Sequence, residues 1–545
     1  MIFGQLHQTV RSAYRKIYQT DPPRFDVESA AHKMFGDFST NIALVASAER
    51  DISPMMLAQK LVAELESSQV FRRVSVTTPG FINFTVSDEH LLSTVKAIIK
   101  LPDAIGRSDL GKETRVLVEY VSANPTGPLT LANGRGAFVG ETIARVLELY
   151  GCTVMREYYV NDRGSQIETL GHSIQKDDKA EYRGQYIDEL AKRIVAHPLV
   201  SRQKAARHKE KDPLAVGEKG SAIVMEEMIK PLLKKIGINF HQFFSESSLY
   251  QTGVYKKSLE LLKVKGYVYE AEGATWLATT RFGDDKDRVL IRSSGQETYF
   301  ASDIAYHSFK IQRGYHRLIN VVGADHYTYT TELTKVVEGI LRHHYMWGGS
   351  LEWVVTQLVR LIKDGQEIKM SKRAGTYVAL DDVLAEIGPD VARFFFLNKS
   401  TDTHLDFDLN IAMSNSNQNP VFYIQYAYAR ISSIFRQFSA SDDFVLPDKI
   451  IITHPIERQL LLRIIQFPDL VEEIAGNLEV HRLTHYATAL ATDLHTFYET
   501  VRVVGEETEI ANSRLAILKA TSLTIKKTLD LIGITAPSRM VAKES

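Results

Sequence analysis

The sequence predicts a multidomain protein: an α/β domain on a doubly wound parallel sheet, an α+β unit before it, and an all-helical bundle after it. Three observations carry this. Between residue 106 and about 414, apolar runs of strand length alternate with helical stretches, as in Arg115–Val121, Gly134–Tyr150 and Thr153–Val160. Strand–helix–strand of this length implies parallel pairing with a right-handed crossover. Before that segment helices and paired strands mix, and from about Asn415 only helical periodicity remains. A chain of 545 residues fits several domains. The expected bounds are 1–105, 106–414 and 415–545.

Composition sets limits. Hydrophobic content of 44% and charged content of 24% are ordinary for a globular protein. Net charge is -1, so any polyanion must be met by local basic patches rather than a global field. The single cysteine, Cys152, rules out a disulfide framework and a multi-cysteine zinc site. It is expected to pack as a small apolar residue. The first residues, Met1–His7, are too short in apolar length for a signal peptide. No apolar run approaches the roughly 18 residues that span a bilayer. The expectation is a cytoplasmic protein with no membrane partner.

In order, Leu6, Val10, Tyr14 and Ile17 recur at helical spacing. Ser53-Pro54 caps and opens a helix running to Leu65. Val74–Val86 reads as paired strands around Pro79-Gly80. In the middle segment Phe138, Ile143, Val146 and Leu149 make a helix face that Gly151 ends. A charged insertion from about 175 to 262 reads as mostly helical. Within it Arg202, Lys204, Arg207, Lys209 and Lys211 form a solvated face or a contact for nucleic-acid backbone. Trp276–Arg292 reads as strands around Phe282-Gly283-Asp284-Asp285. Leu318–Gly323, a helix from about Thr328 to His344, and the strand at Trp353 resume the parallel pattern. Helices from Asn419-Pro420, His454–Glu473, His481–Arg502 and Asn512–Ile532 form the bundle.

Two stretches carry chemistry. Lys369-Met370-Ser371-Lys372-Arg373, then Ala374-Gly375-Thr376, place three cations and small residues on one polar loop. A basic pentamer alone is more often a solvated loop, but this one suits a polyphosphate. Far upstream, Val121-Ser122-Ala123-Asn124-Pro125-Thr126-Gly127-Pro128-Leu129-Thr130-Leu131-Ala132-Asn133-Gly134-Arg135-Gly136 lies between a strand and a helix. Ligands bind outside the C-terminal ends of parallel strands, and a helix N-terminus attracts phosphate.

The pair resembles the two halves of a class I aminoacyl-tRNA synthetase site, and the flanking residues resemble arginyl-tRNA synthetases. That resemblance implies a Rossmann-like catalytic domain. It also implies an N-terminal domain touching the outer corner of tRNA, on Gly36-Asp37-Phe38-Ser39-Thr40-Asn41 and Pro79–Phe84. The C-terminal bundle, closing on Ala536-Pro537-Ser538-Arg539-Met540, would bind the anticodon. The implied reaction is ATP-dependent activation of L-arginine and its transfer to tRNA(Arg), with Mg2+ on the phosphates, by a monomer. Lys369 and Lys372 would hold the β- and γ-phosphates as mobile charges, and Gly134, Gly136, Met370, Ser371 and Arg373 would complete the ATP site.

One departure stands out. Most of the class carries His-x-Gly-His where this chain has Thr130-Leu131-Ala132-Asn133. Losing one such donor commonly costs about 10²- to 10³-fold in rate. Both replacements keep a donor, the Thr130 hydroxyl and the Asn133 amide, and Asn133 suits the N-cap of the next helix. The expectation is a working variant. In the family, Glu119 and Asn124, Tyr299 and Asp303, and Asp325 and His326 correspond to the arginine pocket. Tyr299 and Asp303, four apart, share a face if helical. Tyr498 and Met540 match positions that touch anticodon bases, where stacking is worth about 1–3 kcal/mol per base. The tyrosines Tyr423, Tyr426 and Tyr428 are read as core. Two alternatives stay open: a non-catalytic tRNA-binding paralogue, and a class I ligase for another amino acid.

Overall fold

The computed structural model describes residues 2–30, 32–66, 68–196, 212–368, 378–414, 416–438 and 446–540. The lysine loop from Lys369 through Arg373 and the basic run Arg202–Lys211 lie outside the described residues.

The N-terminal unit sets two helices on an antiparallel sheet. Helix Ile2–Tyr18 buries Leu6, Val10 and Tyr14. Ser53 accepts a hydrogen bond from the Met56 amide at 3.3 Å and starts helix Pro54–Leu65. The strands are β1 (Val27–Ser29), β2 (Phe38–Thr40), β3 (Phe71–Thr77) and β4 (Phe81–Val86), in the order β1-β2-β4-β3. Asp469 of the C-terminal bundle accepts from the Ile2 and Phe3 amides at 2.8 and 2.9 Å, satisfying donors that a helix start leaves open.

The central strands are β5 (Arg115–Glu119), β6 (Thr153–Val160), β7 (Gln242–Ser245), β8 (Val268–Ala271), β9 (Ala274–Leu277), β10 (Arg288–Ile291), β11 (Arg317–Gly323), β12 (Ser350–Thr356), β13 (Val359–Lys363), β14 (Gln366–Ile368) and β15 (Leu405–Asp408). Five of them form one parallel sheet, β12-β11-β5-β6-β7. The order reverses at β5, which makes the C-terminal end of β5 the crevice where ligands bind in such sheets. β8–β10 form a separate antiparallel sheet. The insertion expected to be mostly helical contributes β7, an edge strand of the main sheet. Its four residues put Phe243 beside Phe244, which is too short a run to show alternation.

Helix Leu131–Leu149 starts three residues earlier than its apolar spacing indicated and is buried along almost its whole length. Gly151, at φ +105°, follows its end. The bundle comprises Pro420–Gln437, Pro455–Ile465, Phe467–Asn477, His481–Thr500 and Thr508–Ile532. The helix expected over His454–Glu473 is two helices that meet at Gln466, with Pro468 in the first turn of the second. At the end of the last helix, Arg145 donates to the Asp530 carbonyl at 2.8 Å and Arg393 to the Ile532 carbonyl at 3.2 Å. Carbonyls at a helix C-terminus need such partners.

Gly140 fixes how the long helix meets the site. A methyl there would stand 2.3 Å from Tyr120 Cγ. Tyr120 follows directly on β5, and its hydroxyl donates to Glu141 Oε2 at 2.7 Å. Gly140→Ala is expected to destabilise the protein by about 1–3 kcal/mol, the usual cost of overpacking. A lower urea midpoint against the parent chain checks this.

Candidate functional site

Three polar residues stand side by side across the sheet. Glu119 at the end of β5 pairs in register with Glu157 on β6 and with Asn320 on β11. Glu157 and Asn320 are buried. A buried carboxylate needs a counter-charge, and helix Tyr299–Gln312 supplies two from its C-terminal end. Lys310 bonds Glu119 Oε2 and donates to Asn320 Oδ1 at 2.7 Å. Arg313, capping the helix, lies 2.6 Å from Glu157 Oε2, and Tyr306 donates to Glu157 Oε1 at 2.7 Å.

A second pair of acids is in no ion pair among the described residues, though the charges of Lys310 and Arg163 reach Asp303 and Glu246 respectively. Asp303, on the same helix, accepts from the Tyr329 hydroxyl. Burial pushes its carboxyl up to about 6; the Tyr329 bond opposes this and the Glu119 charge adds to it. Glu246, just past β7, is 3% exposed. Burial pushes it up to about 7; a Ser302 hydrogen bond opposes this and the Asp303 charge adds to it. In its donating orientation the Asn161 amide stands 2.9 Å from Glu246 Oε2. Burial first, then the charges of Asp303, Glu246 and Glu119, pushes the Tyr159 phenol well up. Acids from β5, from the helix and from the end of β7 thus surround one tyrosine.

The remaining expected pocket residues line the rim. Tyr299 begins the helix, one turn before Asp303, and is 47% exposed. Its hydroxyl faces Gly164, beyond β6. The Asn124 amide donates to Gln166 at 2.5 Å. Asp325 and His326 follow β11 in a short turn, both exposed, with His326 Nε2 3.6 Å from Asp325 Oδ2. Lys310, Asn320, Glu246, Tyr329 and Gln166 were not foreseen. Lys310 falls seven residues after Asp303, two helical turns on, which was the one available signal.

At the phosphate-side element, Thr130 rather than Asn133 is the N-cap of helix Leu131–Leu149. Asn133 sits in the first turn, and its Oδ1 accepts from the Thr130 amide at 2.9 Å and from the Thr130 hydroxyl at 2.8 Å. The hydroxyl expected to face a ligand is therefore spent on Asn133. Gly134 and Gly136 are buried. A methyl on Gly134 would meet Leu380 at 2.8 Å, and one on Gly136 would meet Val321 at 4.0 Å. The smallness of Gly134 serves packing of the helix against Leu380, while Gly136 has room for a methyl beside β11. Arg135, also buried, donates to the Gln357 and Ser400 carbonyls at 2.7 and 2.8 Å. The chain just past the lysine loop returns here: Leu380 N donates to Leu129 O at 2.8 Å, and Thr130 bridges Ala379.

In the bundle, Tyr498 is packed against the core with Arg430 4.5 Å above its ring. Its hydroxyl is buried without a hydrogen-bond partner among the described residues. Met540, the last described residue, is half-buried. Tyr423 and Tyr428 are partly buried as expected, but Tyr426 is 42% exposed.

Comparison with known proteins accounts for most of the chain. Residues 4–86 match the arginyl tRNA synthetase N terminal domain. Residues 95–416 match the catalytic domain of tRNA synthetases class I (R), and residues 424–540 match the DALR anticodon binding domain. The arginine–tRNA ligase of Citrifermentans bemidjiense is 40% identical over 534 residues, 95% of each chain. That of Aquifex aeolicus is 38% identical, covering 98% of this chain and 99% of its own. The Thermus thermophilus arginyl-tRNA synthetase structure superimposes with a TM-score of 0.80 at 22% identity, over 99% of this chain and 100% of its own.

The Asp303 charge raises Glu246, so removing it lowers Glu246. In Asp303→Asn the Glu246 side chain should titrate below its parent value of about 7. Carboxyl carbon shifts of selectively labelled glutamate, followed across pH, read this directly.

Proposed function

The chain belongs to the class I arginyl-tRNA synthetases, and we propose that the crevice where Glu119, Asp303 and Glu246 converge is its arginine pocket. The activity is that of an arginine–tRNA ligase. ATP activates the carboxylate of L-arginine, and the arginyl group passes to tRNA(Arg) as an ester in protein synthesis.

The observation that supports the pocket is a pair of acids in no ion pair among the described residues, set beside a row of acids that have one. Burial holds the carboxyls of Asp303 and Glu246 above the usual range even though the charges of Lys310 and Arg163 pull them down. A guanidinium is planar and always charged, and it binds carboxylates as a fork. Tyr329 fixes Asp303, and Tyr299 closes the open side. Glu119 and Asn124 take the α-amino and carboxylate end, with Asp325 and His326 at the mouth. This places the reacting carboxylate towards the N-terminus of helix Leu131–Leu149, where ATP phosphates would sit.

On the phosphate side, Lys369 and Lys372 neutralise the leaving pyrophosphate from their loop, with Met370, Ser371 and Arg373 around the nucleotide. The bridge between Thr130 and Ala379 supports this, since it ties the far end of that loop to the helix start. Thr130 and Asn133 stand in for the two histidines as a pair: Oδ1 of Asn133 turns to Thr130, so its Nδ2 faces away as the donor. Magnesium, when bound with the nucleotide, would supply charge neutralisation at the phosphates; among the described residues no group of three His, Cys, Asp or Glu side chains is placed to hold a metal. At the bundle, Tyr498, beneath Arg430, and Met540 meet the anticodon loop. The enzyme works as a monomer in the cytoplasm; among the described residues no helix is long and apolar enough to cross a membrane.

Asp303→Asn should lower kcat/KM for arginine by about 10³-fold, the loss expected when a buried charge partner is truncated. Aminoacylation of tRNA(Arg) measures it. A ligase for another amino acid would instead show one of the other nineteen turning over in the parent enzyme, and a pure binding protein would show none. The acidities add a second test. Both groups are protonated, and so neutral, below their raised values, and both must be ionised to hold a guanidinium. Between pH 8 and pH 6, kcat/KM for arginine should fall roughly 10- to 20-fold while KM for ATP holds.

A further inference from the structure

Lys310 is buried with no exposed side-chain surface, on the helix that carries Asp303. Its ammonium is fully engaged. It bonds Glu119 Oε2, donates to Asn320 Oδ1 at 2.7 Å, and lies 4.2 Å from the centre of the Tyr306 ring. No donor remains for a substrate. Asn320 turns its oxygen to this lysine although its own Nδ2 is then buried without a partner among the described residues. An amide accepts that cost only where the bond it keeps is to a charge.

The other oxygen of Glu119 accepts from Ser122 Oγ at 3.0 Å, and Ser122 Oγ in turn accepts from the Tyr159 amide at 3.1 Å. Val121 and Ser122 hold φ of +67° and +37°. A β-branched residue and its neighbour keep such angles only when their surroundings hold them there. The carboxylate that Lys310 grips is therefore also the anchor of this strained turn, which leads into Asn124.

We infer that Lys310 is a positioning residue for arginine binding: it holds Glu119 aimed at the pocket, and through Glu119 it holds the Val121–Ser122 turn. This rests on the reading of Glu119 as a pocket residue. Without the ammonium, Glu119 is a partly buried carboxylate that has lost its counter-charge. It then swings to water, and the α-amino group of arginine loses its partner. The charged and titratable groups facing this pair are Asp303, Tyr306 and His307 on the helix, Glu157 and Tyr159 on β6, and His326 beyond β11.

The test is aminoacylation by the full-length enzyme carrying Lys310→Met, Lys310→Arg, Glu119→Gln, or Lys310→Met with Glu119→Gln. Lys310→Met should lower kcat/KM for arginine about 10²-fold, mainly through KM, with KM for ATP and for tRNA within about twofold. Lys310→Arg keeps the charge and should stay within about tenfold of the parent. The double variant removes both charges, so it escapes the unpaired group. It should be no worse than Glu119→Gln alone. Equal losses in all three KM values, or a double variant in which the two effects multiply, would overturn the role of Lys310 while leaving the pocket intact. A Glu119→Gln enzyme with unchanged KM for arginine would instead overturn the placement of Glu119 on which the inference stands.

Discussion

A carboxylate can stand ionised at the end of a buried strand only if a cation is buried with it. Here two adjacent strands each present one, Glu119 on β5 and Glu157 on β6, in lateral register. Both cations come from one end of one helix, Lys310 and Arg313. That pairing fixes the helix against the sheet in rotation and in height. With the helix fixed, Asp303 and Tyr299 two and three turns earlier have no freedom in where they project. The site is thus positioned by charge compensation beneath it, more than by the loops that rim it.

The same rule explains the contrast within the site. Glu119 and Glu157 are ion-paired; among the described residues Asp303 and Glu246 are hydrogen-bonded, by Tyr329 and Ser302, with Lys310 and Arg163 acting on them only at longer range. Hydrogen bonds offset part of the desolvation cost and leave both acids raised. A site that neutralised all four would have no reason to bind a cation. A site that neutralised none would carry several like charges within a few ångströms and would open. Leaving two uncompensated suits a ligand that brings its own charge and a fork of donors. A neutral analogue of the same shape would leave those acids unpaired, which is where such a cavity gains its discrimination.

The parallel sheet was legible because its strands are long apolar runs separated by helix-length spacers, and the bundle because its helices carry caps such as Asn419 before Pro420. β7 was not, since four residues at a sheet edge leave no period to read. Of the site, the acids at strand ends were legible from type and place: Glu119 is the one carboxylate in an otherwise apolar strand after its first residue. Glu246 was hidden because it lies outside any motif and reaches the site only through β7. Lys310 was hidden for the opposite reason. A lysine near the end of a helix normally reads as a solvated charge on the dipole, and only the register of β5 against β11 reveals that this one points inward. The N-cap was misread as Asn133 because Asn, Thr and Ser are near-equivalent caps by type. Thr130 wins because its isolated bridge to Ala379 holds it extended, the backbone that an N-cap needs.

That last detail bears on how the phosphate side works. Two histidines would offer two independent ring donors, each free to tilt towards a developing charge. Thr130 and Asn133 are not independent: the hydroxyl and the Thr130 amide both converge on one Asn133 oxygen. The pair therefore behaves as one rigid unit with a single outward amide, preorganised at the start of a helix. A rigid donor costs little reorganisation when charge develops, but it cannot follow a phosphate that moves. The first-turn amides of the helix stand beside this pair, at the end where a phosphate is attracted. The helix is buried along almost its whole length. Its N-terminus is anchored by Arg135 on the Gln357 and Ser400 carbonyls and by the close approach of Gly134 to Leu380, so its field stays aimed at the crevice.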